Sequence, residues 1–267
     1  MDVLLRDKRL LVTGVISPDS IAYAVARTAQ QEGAEVVLTG FGRGLRITQR
    51  LAAALSPACD VLEMDATRED HIAAAADDLR DRWGRLDGVV HSIAFAPASA
   101  LGGGFLSADW PDVASALQVS TYSFVAFGRA FGPLLAAAGG GSLVGLDFDA
   151  TQAWPGYDWM GVAKAGLESA CRYLAATLGS NGTRVNLVAA GPIHTVAASA
   201  ISTFDRLQRV WVERAPLGWD VQDPQPVARA VCALLSDWLP AVTGEVLHVD
   251  GGVHALAAGP VDGRVPA

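Results

Sequence analysis

Cysteine is scarce in this chain. Cys59, Cys171 and Cys232 are the only three among 267 residues. An odd number, widely spaced and set among apolar neighbours, excludes a disulfide scaffold and predicts buried free thiols in a reducing compartment. Charge is scarce too, at 18% of residues against 51% hydrophobic, which excludes a disordered chain. Positive charge is the scarcer sign: 20 Lys and Arg face 28 Asp and Glu, for a net −8. A nucleic-acid binder needs a basic face to displace counterions, so that class is excluded. No run approaches the ~20 apolar residues of a membrane span, so no membrane insertion is expected. The opening MDVLLRDKRLLVTG is too short and too charged for a signal peptide, and a cytoplasmic location is expected. The five histidines, His71, His91, His194, His248 and His254, lack ligand spacing with carboxylates or thiols, so no metal site is expected.

What the chain does have is alternation. Brief apolar runs rich in β-branched residues read as strands: 9–14, 35–40, 59–65, 86–92, 142–148, 184–190 and 245–249. Longer amphipathic stretches between them read as helices: 20–30, 45–55, 69–83, 109–138, 160–178 and 226–236. This order predicts an α/β fold, a Rossmann-type doubly wound parallel sheet of about seven strands in a single domain over 1–258. Residues 259–267 (GPVDGRVPA) read as a flexible tail.

The first strand ends at Thr13-Gly14, and a helix begins near Ser20. A strand, a glycine turn and a helix N-terminus together make an anion site. The usual dinucleotide turn has three glycines; here only Gly14 remains, and an ordinary βα turn stays an open reading. The second strand ends in Thr39-Gly40-Phe41-Gly42-Arg43 with no ribose-binding acid, and Arg43 suits a 2′-phosphate, so NADPH is not excluded. Asp65 suits an adenine edge or a plain strand-end turn. His91 reads as a packed strand residue rather than a catalyst.

After the fifth strand comes LDFDATQAWPGYDWMGVAK. Tyr157 and Lys164 lie seven apart, close to two helical turns, so both can emerge on one face. An ammonium beside a phenol favours phenolate character and can hydrogen-bond a ribose hydroxyl. Phe148 is placed to shape a slot above a cofactor. The alternative is a tyrosine that caps a core helix and a lysine that reaches for solvent.

The chain resembles enoyl-acyl-carrier-protein reductases of the short-chain dehydrogenase superfamily, most of all the long-chain type of mycolic-acid synthesis. The resemblance runs from about Leu5 to Gly252. It rests on LVTG with SIA, VLTGF, DGVVHSIAF, DFD, Tyr157-x6-Lys164, NLVAAGPI-x-T, CALLSDWLP and VDGG. It implies an NADH-dependent reductase of trans-2-enoyl thioesters, a homotetramer, served by acyl carrier protein. Gly14, Ser20 and Ile21 would hold the pyrophosphate side of the cofactor, and Phe41, Asp65 and Ala66 would flank the adenosine. Ser92, Ile93 and Ala94 would run beside the phosphates and ribose, and Ile193 and Thr195 would approach the nicotinamide and pyrophosphate. Lys164 would bind the nicotinamide ribose, Tyr157 the thioester carbonyl, and Phe148 would be the other pocket aromatic. Phe95, Met160, Ala197 and Ile201, with Tyr157, would meet the acyl substrate.

Three departures stand out. The substrate-covering segment 195–216 is shorter than in the mycolate type, which predicts short or medium enoyl chains. Ala94 stands where relatives usually have glycine, which predicts a narrower pocket for inhibitors. His194 replaces a common arginine. Within the same segment Arg206 and Arg209 would share one helical face, a landing site for an acidic carrier. A ketoreductase of the same superfamily is the first rival, but the tyrosine it needs four before the lysine is Met160, and the serine it needs is Asp147. A non-catalytic nucleotide-binding protein is the second.

Overall fold

The structure, a computed structural model, describes residues 3–199 and 204–257. Strands and helices alternate as β1 (Arg9–Val12), α1 (Ile21–Gln31), β2 (Glu35–Gly40), α2 (Gly42–Ala54), β3 (Val61–Glu63), α3 (Glu69–Trp83) and β4 (Gly88–His91). Then come α4 (Trp110–Leu117), α5 (Ser123–Ala137), β5 (Ser142–Asp147), α6 (Asp158–Leu178), β6 (Arg184–Ala190), α7 (Val196–Ser199), α8 (Phe204–Arg214), α9 (Gln225–Leu235) and β7 (Val246–Val249). The seven strands form one parallel sheet in the order β3-β2-β1-β4-β5-β6-β7. This is the expected doubly wound sheet. The expected tail, 259–267, lies outside the described residues.

Alternation along each strand sorts the core into two layers. Leu10, Val12, Val90, Val144 and Val188 pack against α1 and α9. Leu11, Val89, Leu143, Val185 and Leu187 pack with α3, α5 and α6 on the other face. A strand buried on both faces has no polar side to show, which is why β5 reads SLVGLD and is buried throughout. Cys171 and Cys232 are buried free thiols pushed up to about 12 by burial, and Cys59 is half-buried and free. No described helix is long and apolar enough to cross a membrane.

One expected element is divided. The stretch read as a single helix over 109–138 is α4 and α5 joined by a π turn over Gln118–Tyr122. Its hydroxyls explain the break. Ser120 Oγ accepts the Phe95 N–H and donates to the Phe95 carbonyl, each at 3.0 Å. Thr121 donates to the Ala163 carbonyl at 2.6 Å, and Ser123 bonds the His91 ring at 2.7 Å. The wide turn thus ties the end of β4 to α6.

Candidate active site

In a parallel sheet every strand delivers its carboxyl end to the same edge, and ligands settle where the strand order reverses. Here that crevice lies between β1 and β4. Thr13 closes its floor: Thr13 Oγ1 donates to the Val90 carbonyl at 2.9 Å and accepts the Ser92 N–H at 3.2 Å. Gly14 follows with φ +85°, and a Cβ there would stand 1.9 Å from the Ser92 carbonyl oxygen. Only glycine lets the two chains pass this closely. Ser20 caps α1, its hydroxyl accepting the Tyr23 N–H and donating to the Ser17 carbonyl. The N–H groups of Ile21 and Ala22 have no partner within the helix, and no acid sits in that first turn. A phosphate therefore fits the turn.

The other expected cofactor residues lie on the same edge. Phe41 is exposed at the end of β2. Asp65, half-buried beyond β3, spends Oδ1 on the Thr67 N–H and hydroxyl, the turn role weighed against an adenine contact. Ala66 beside it is buried. Ser92 and Ile93 are half-buried and Ala94 and Phe95 exposed in the segment leaving β4. Ile193 is buried past β6, and Thr195 accepts the Ala198 N–H. Ala197 lies in α7, and Ile201 is outside the described residues. His91 is buried between Phe124 and Phe127 and pushed down to about 3 by burial, which makes it a neutral strand residue.

The expected pair sits at the head of α6. Tyr157 immediately precedes the helix, and Lys164 lies within it; both are buried. Lys164 Nζ donates to the Leu146 carbonyl at 2.7 Å and stands 3.8 Å from Asp147 Oδ1. Three donors serve those groups, so capacity remains for a ribose hydroxyl. Asp147 is the partner that sequence reading passed over. Neither of its buried carboxylate oxygens has a hydrogen bond, and burial pushes it up to about 7 although Lys164 pulls it down.

The phenolate expectation needs correction. Burial and then the Asp147 charge drive the Tyr157 hydroxyl far above the ordinary tyrosine range, and the lysine charge goes to Asp147 instead. Tyr157 stays a neutral phenol that can donate a hydrogen bond. The residue after it, Asp158, holds φ +44°, a conformation costly for a side chain, and its carboxylate is gripped by the Gly103 N–H. A loop thus fixes the approach to Tyr157.

Above Tyr157 is an aromatic cluster. Phe148 lies 5.0 Å from Tyr157, 5.6 Å from Trp154 and 5.4 Å from Trp211 between ring centroids, and Trp154 and Trp211 are 4.9 Å apart. Phe148 was expected here; the two tryptophans were not. Met160 packs in the same cluster as Tyr157.

An apolar slot, a donor and a phosphate turn around one crevice suit a dinucleotide enzyme that acts on an apolar carbonyl compound. A family model described as enoyl-(acyl carrier protein) reductase matches residues 14–254. The chain belongs to this reductase family. Curated relatives agree. An enoyl-acyl-carrier-protein reductase (NADH) of Mycolicibacterium smegmatis is 47% identical over 266 residues, covering 94% of this chain and 98% of the relative. Its counterpart in Mycobacterium avium is 43% identical, with 93% and 97% covered. One from Aquifex aeolicus is 36% identical, with 95% and 93% covered. The single-glycine turn and the seven-residue Tyr–Lys spacing are therefore features of a member of the NADH-dependent enoyl reductases, and the ketoreductase reading falls. With Met160 in the apolar cluster and Asp147 buried beside Lys164, the ketoreductase positions hold no hydroxyl.

Proposed function

We propose that this chain reduces the double bond of trans-2-enoyl thioesters carried on acyl carrier protein, working in the cytoplasm as a homotetramer. The observation that carries the reading is a buried phenol at the head of α6, packed 5.0 Å from the Phe148 ring and followed in the same helix by the buried Lys164. Gly14, Ser20 and Ile21 hold the pyrophosphate, Phe41, Asp65 and Ala66 the adenosine side, and Ser92, Ile93, Ala94, Ile193 and Thr195 the remainder, with Lys164 on the ribose. Bound NADH supplies a hydride to the β-carbon of the substrate. Tyr157 donates its hydroxyl to the thioester oxygen and stabilises the enolate charge that develops there. Phe148, Trp154 and Met160 keep water from that charge, which strengthens the hydrogen bond. A proton from solvent then completes the α-carbon. Trp238, 76% exposed in the turn after α9, supports burial against another subunit.

The test offers enoyl thioesters of graded length with NADH and then NADPH and follows the loss of reduced nicotinamide. NADH turnover with an optimum in short or medium chains is the expected result. An optimum above about sixteen carbons would defeat the chain-length reading, since a short lid encloses a short chain.

The carrier-docking reading rests on α8. Phe204, Leu207 and Trp211 point inward while Arg206 and Arg209 are exposed. The two arginines thus occupy the solvent side of the lid, on an otherwise acidic chain. Reversing both charges should raise KM for a carrier-bound substrate about tenfold at low salt and leave a coenzyme A thioester almost unaffected. Equal effects on both substrates would argue against docking here.

A further inference from the structure

The two unexpected tryptophans of the slot are held in different ways. Trp154 donates its indole N–H to the Asp149 carbonyl at 2.8 Å, and its own carbonyl accepts the Tyr157 N–H at 3.0 Å. The ring is therefore tied to the backbone at its polar end and lies one turn ahead of the catalytic phenol. Trp211 is equally well packed, at 1% exposed, but its indole nitrogen is buried with no hydrogen-bond partner. A buried N–H left unpaired is costly, so the packed position of Trp211 is the less secure of the two. Trp211 also rides on α8 in the substrate-covering segment, whereas Trp154 belongs to the loop that leads directly into α6. Both rings pack against Phe148, Trp154 edge-on and Trp211 tilted, so the space beyond the phenol is filled with aromatic carbon rather than open. A cleft of about 480 Å³ lies elsewhere, beside β7 between Leu217 and His254.

An acyl chain entering this slot must displace one of the two rings. Trp211 can gain a hydrogen bond by moving, and Trp154 can only lose one. We propose that Trp154 is the chain-length stop of this reductase, the fixed wall against which the acyl tail ends, and that the enzyme accordingly takes short enoyl chains. This rests on the enoyl thioester reading above and names the residue that sets its substrate class.

The test measures kcat/KM for four-, eight- and twelve-carbon trans-2-enoyl thioesters with NADH, in the full chain and in Trp154→Ala and Trp154→Phe. The readout is the ratio of long-chain to short-chain kcat/KM within each preparation, so a partly inactive sample cancels. Each methylene that finds a buried place is worth about fourfold, so Trp154→Ala should raise the ratio at least about tenfold. Trp154→Phe keeps a ring in place and should stay within about twofold of the parent. If the alanine variant does not fold, Trp154→Met replaces the fixed ring with a side chain that yields, and its ratio should rise at least about threefold. A ratio unmoved in the alanine or methionine variant overturns the proposal, as does a rise in Trp211→Ala with none in the Trp154 variants. A parent chain active on enoyl thioesters keeps the functional reading intact in those cases. A parent chain inactive at every length overturns both.

Discussion

Gly14→Ala is expected to abolish measurable NADH binding and to lower the thermal midpoint by about 10 °C. Two costs combine. The left-handed φ of +85° is unfavourable for alanine by about 1–2 kcal/mol. The added Cβ would also sit 1.9 Å from the Ser92 carbonyl oxygen, which is backbone and cannot rotate away. β1 and β4 would have to part, and the Thr13 bridge between the Val90 carbonyl and the Ser92 N–H would part with them. With an overlap cost of about 1–3 kcal/mol added, the total is about 3 kcal/mol, or about 10 °C for a domain of this size. Gly84→Ala is the control. It shares a left-handed φ of +70° at the end of α3 but meets nothing within 4 Å. It should cost only about 1 kcal/mol and leave NADH affinity unchanged. Thermal melts and a fluorescence titration with NADH read both effects, and equal behaviour of the two variants would show that the close approach to Ser92 is unimportant.

Lys164→Ala should weaken NADH binding and lower kcat/KM at least about hundredfold, through lost positioning of the ribose. Its effect on stability should depend on pH. Asp147 is raised from 3.8 to about 7, chiefly by burial, and Lys164 is the group that holds it down. A carboxyl whose folded pKa lies above the unfolded one favours the fold when protonated, and that support is lost as pH rises through the folded value. Without Lys164 the carboxyl rises further, so the fold retains a neutral acid at pH 5 and must bury an unpaired carboxylate at pH 9. Burial also pushes Lys164 itself down, so its removal costs least where Asp147 is protonated. The stability deficit should be small at pH 5 and reach about 3 kcal/mol at pH 9. Lys164→Ala combined with Asp147→Asn should recover the alkaline stability without recovering NADH binding. A deficit independent of pH would mean that Asp147 does not depend on the lysine.

Strand positions were legible because a strand covered on both faces must be apolar along its whole length. β6 (Arg184–Ala190) and α3 (Glu69–Trp83) match the periodicity residue for residue. The break after α4 was not legible, because Ser120, Thr121 and Ser123 act through partners on β4 and α6 that periodicity does not reveal. Their clustering in an otherwise apolar helix was the available signal. The Tyr–Lys pair was visible from its spacing, but its electrostatics were not. Spacing placed the ammonium beside the phenol, while burial delivered it to Asp147 and left the phenol neutral. Trp154 was in plain view three residues before Tyr157, yet nothing local shows that its indole would be tied to Asp149 and packed against a ring 57 positions further along the chain. By itself the sequence determined the layered α/β fold and the family, and it pointed to the candidate phosphate turn and Tyr–Lys pair, because each is carried by local pattern or by motifs read along the chain. Only the tertiary structure decided which charge meets which, which hydroxyl stays protonated and which rings pack around the phenol. Those depend on burial and on contacts between distant segments, and both exist only once the sheet and helices have packed.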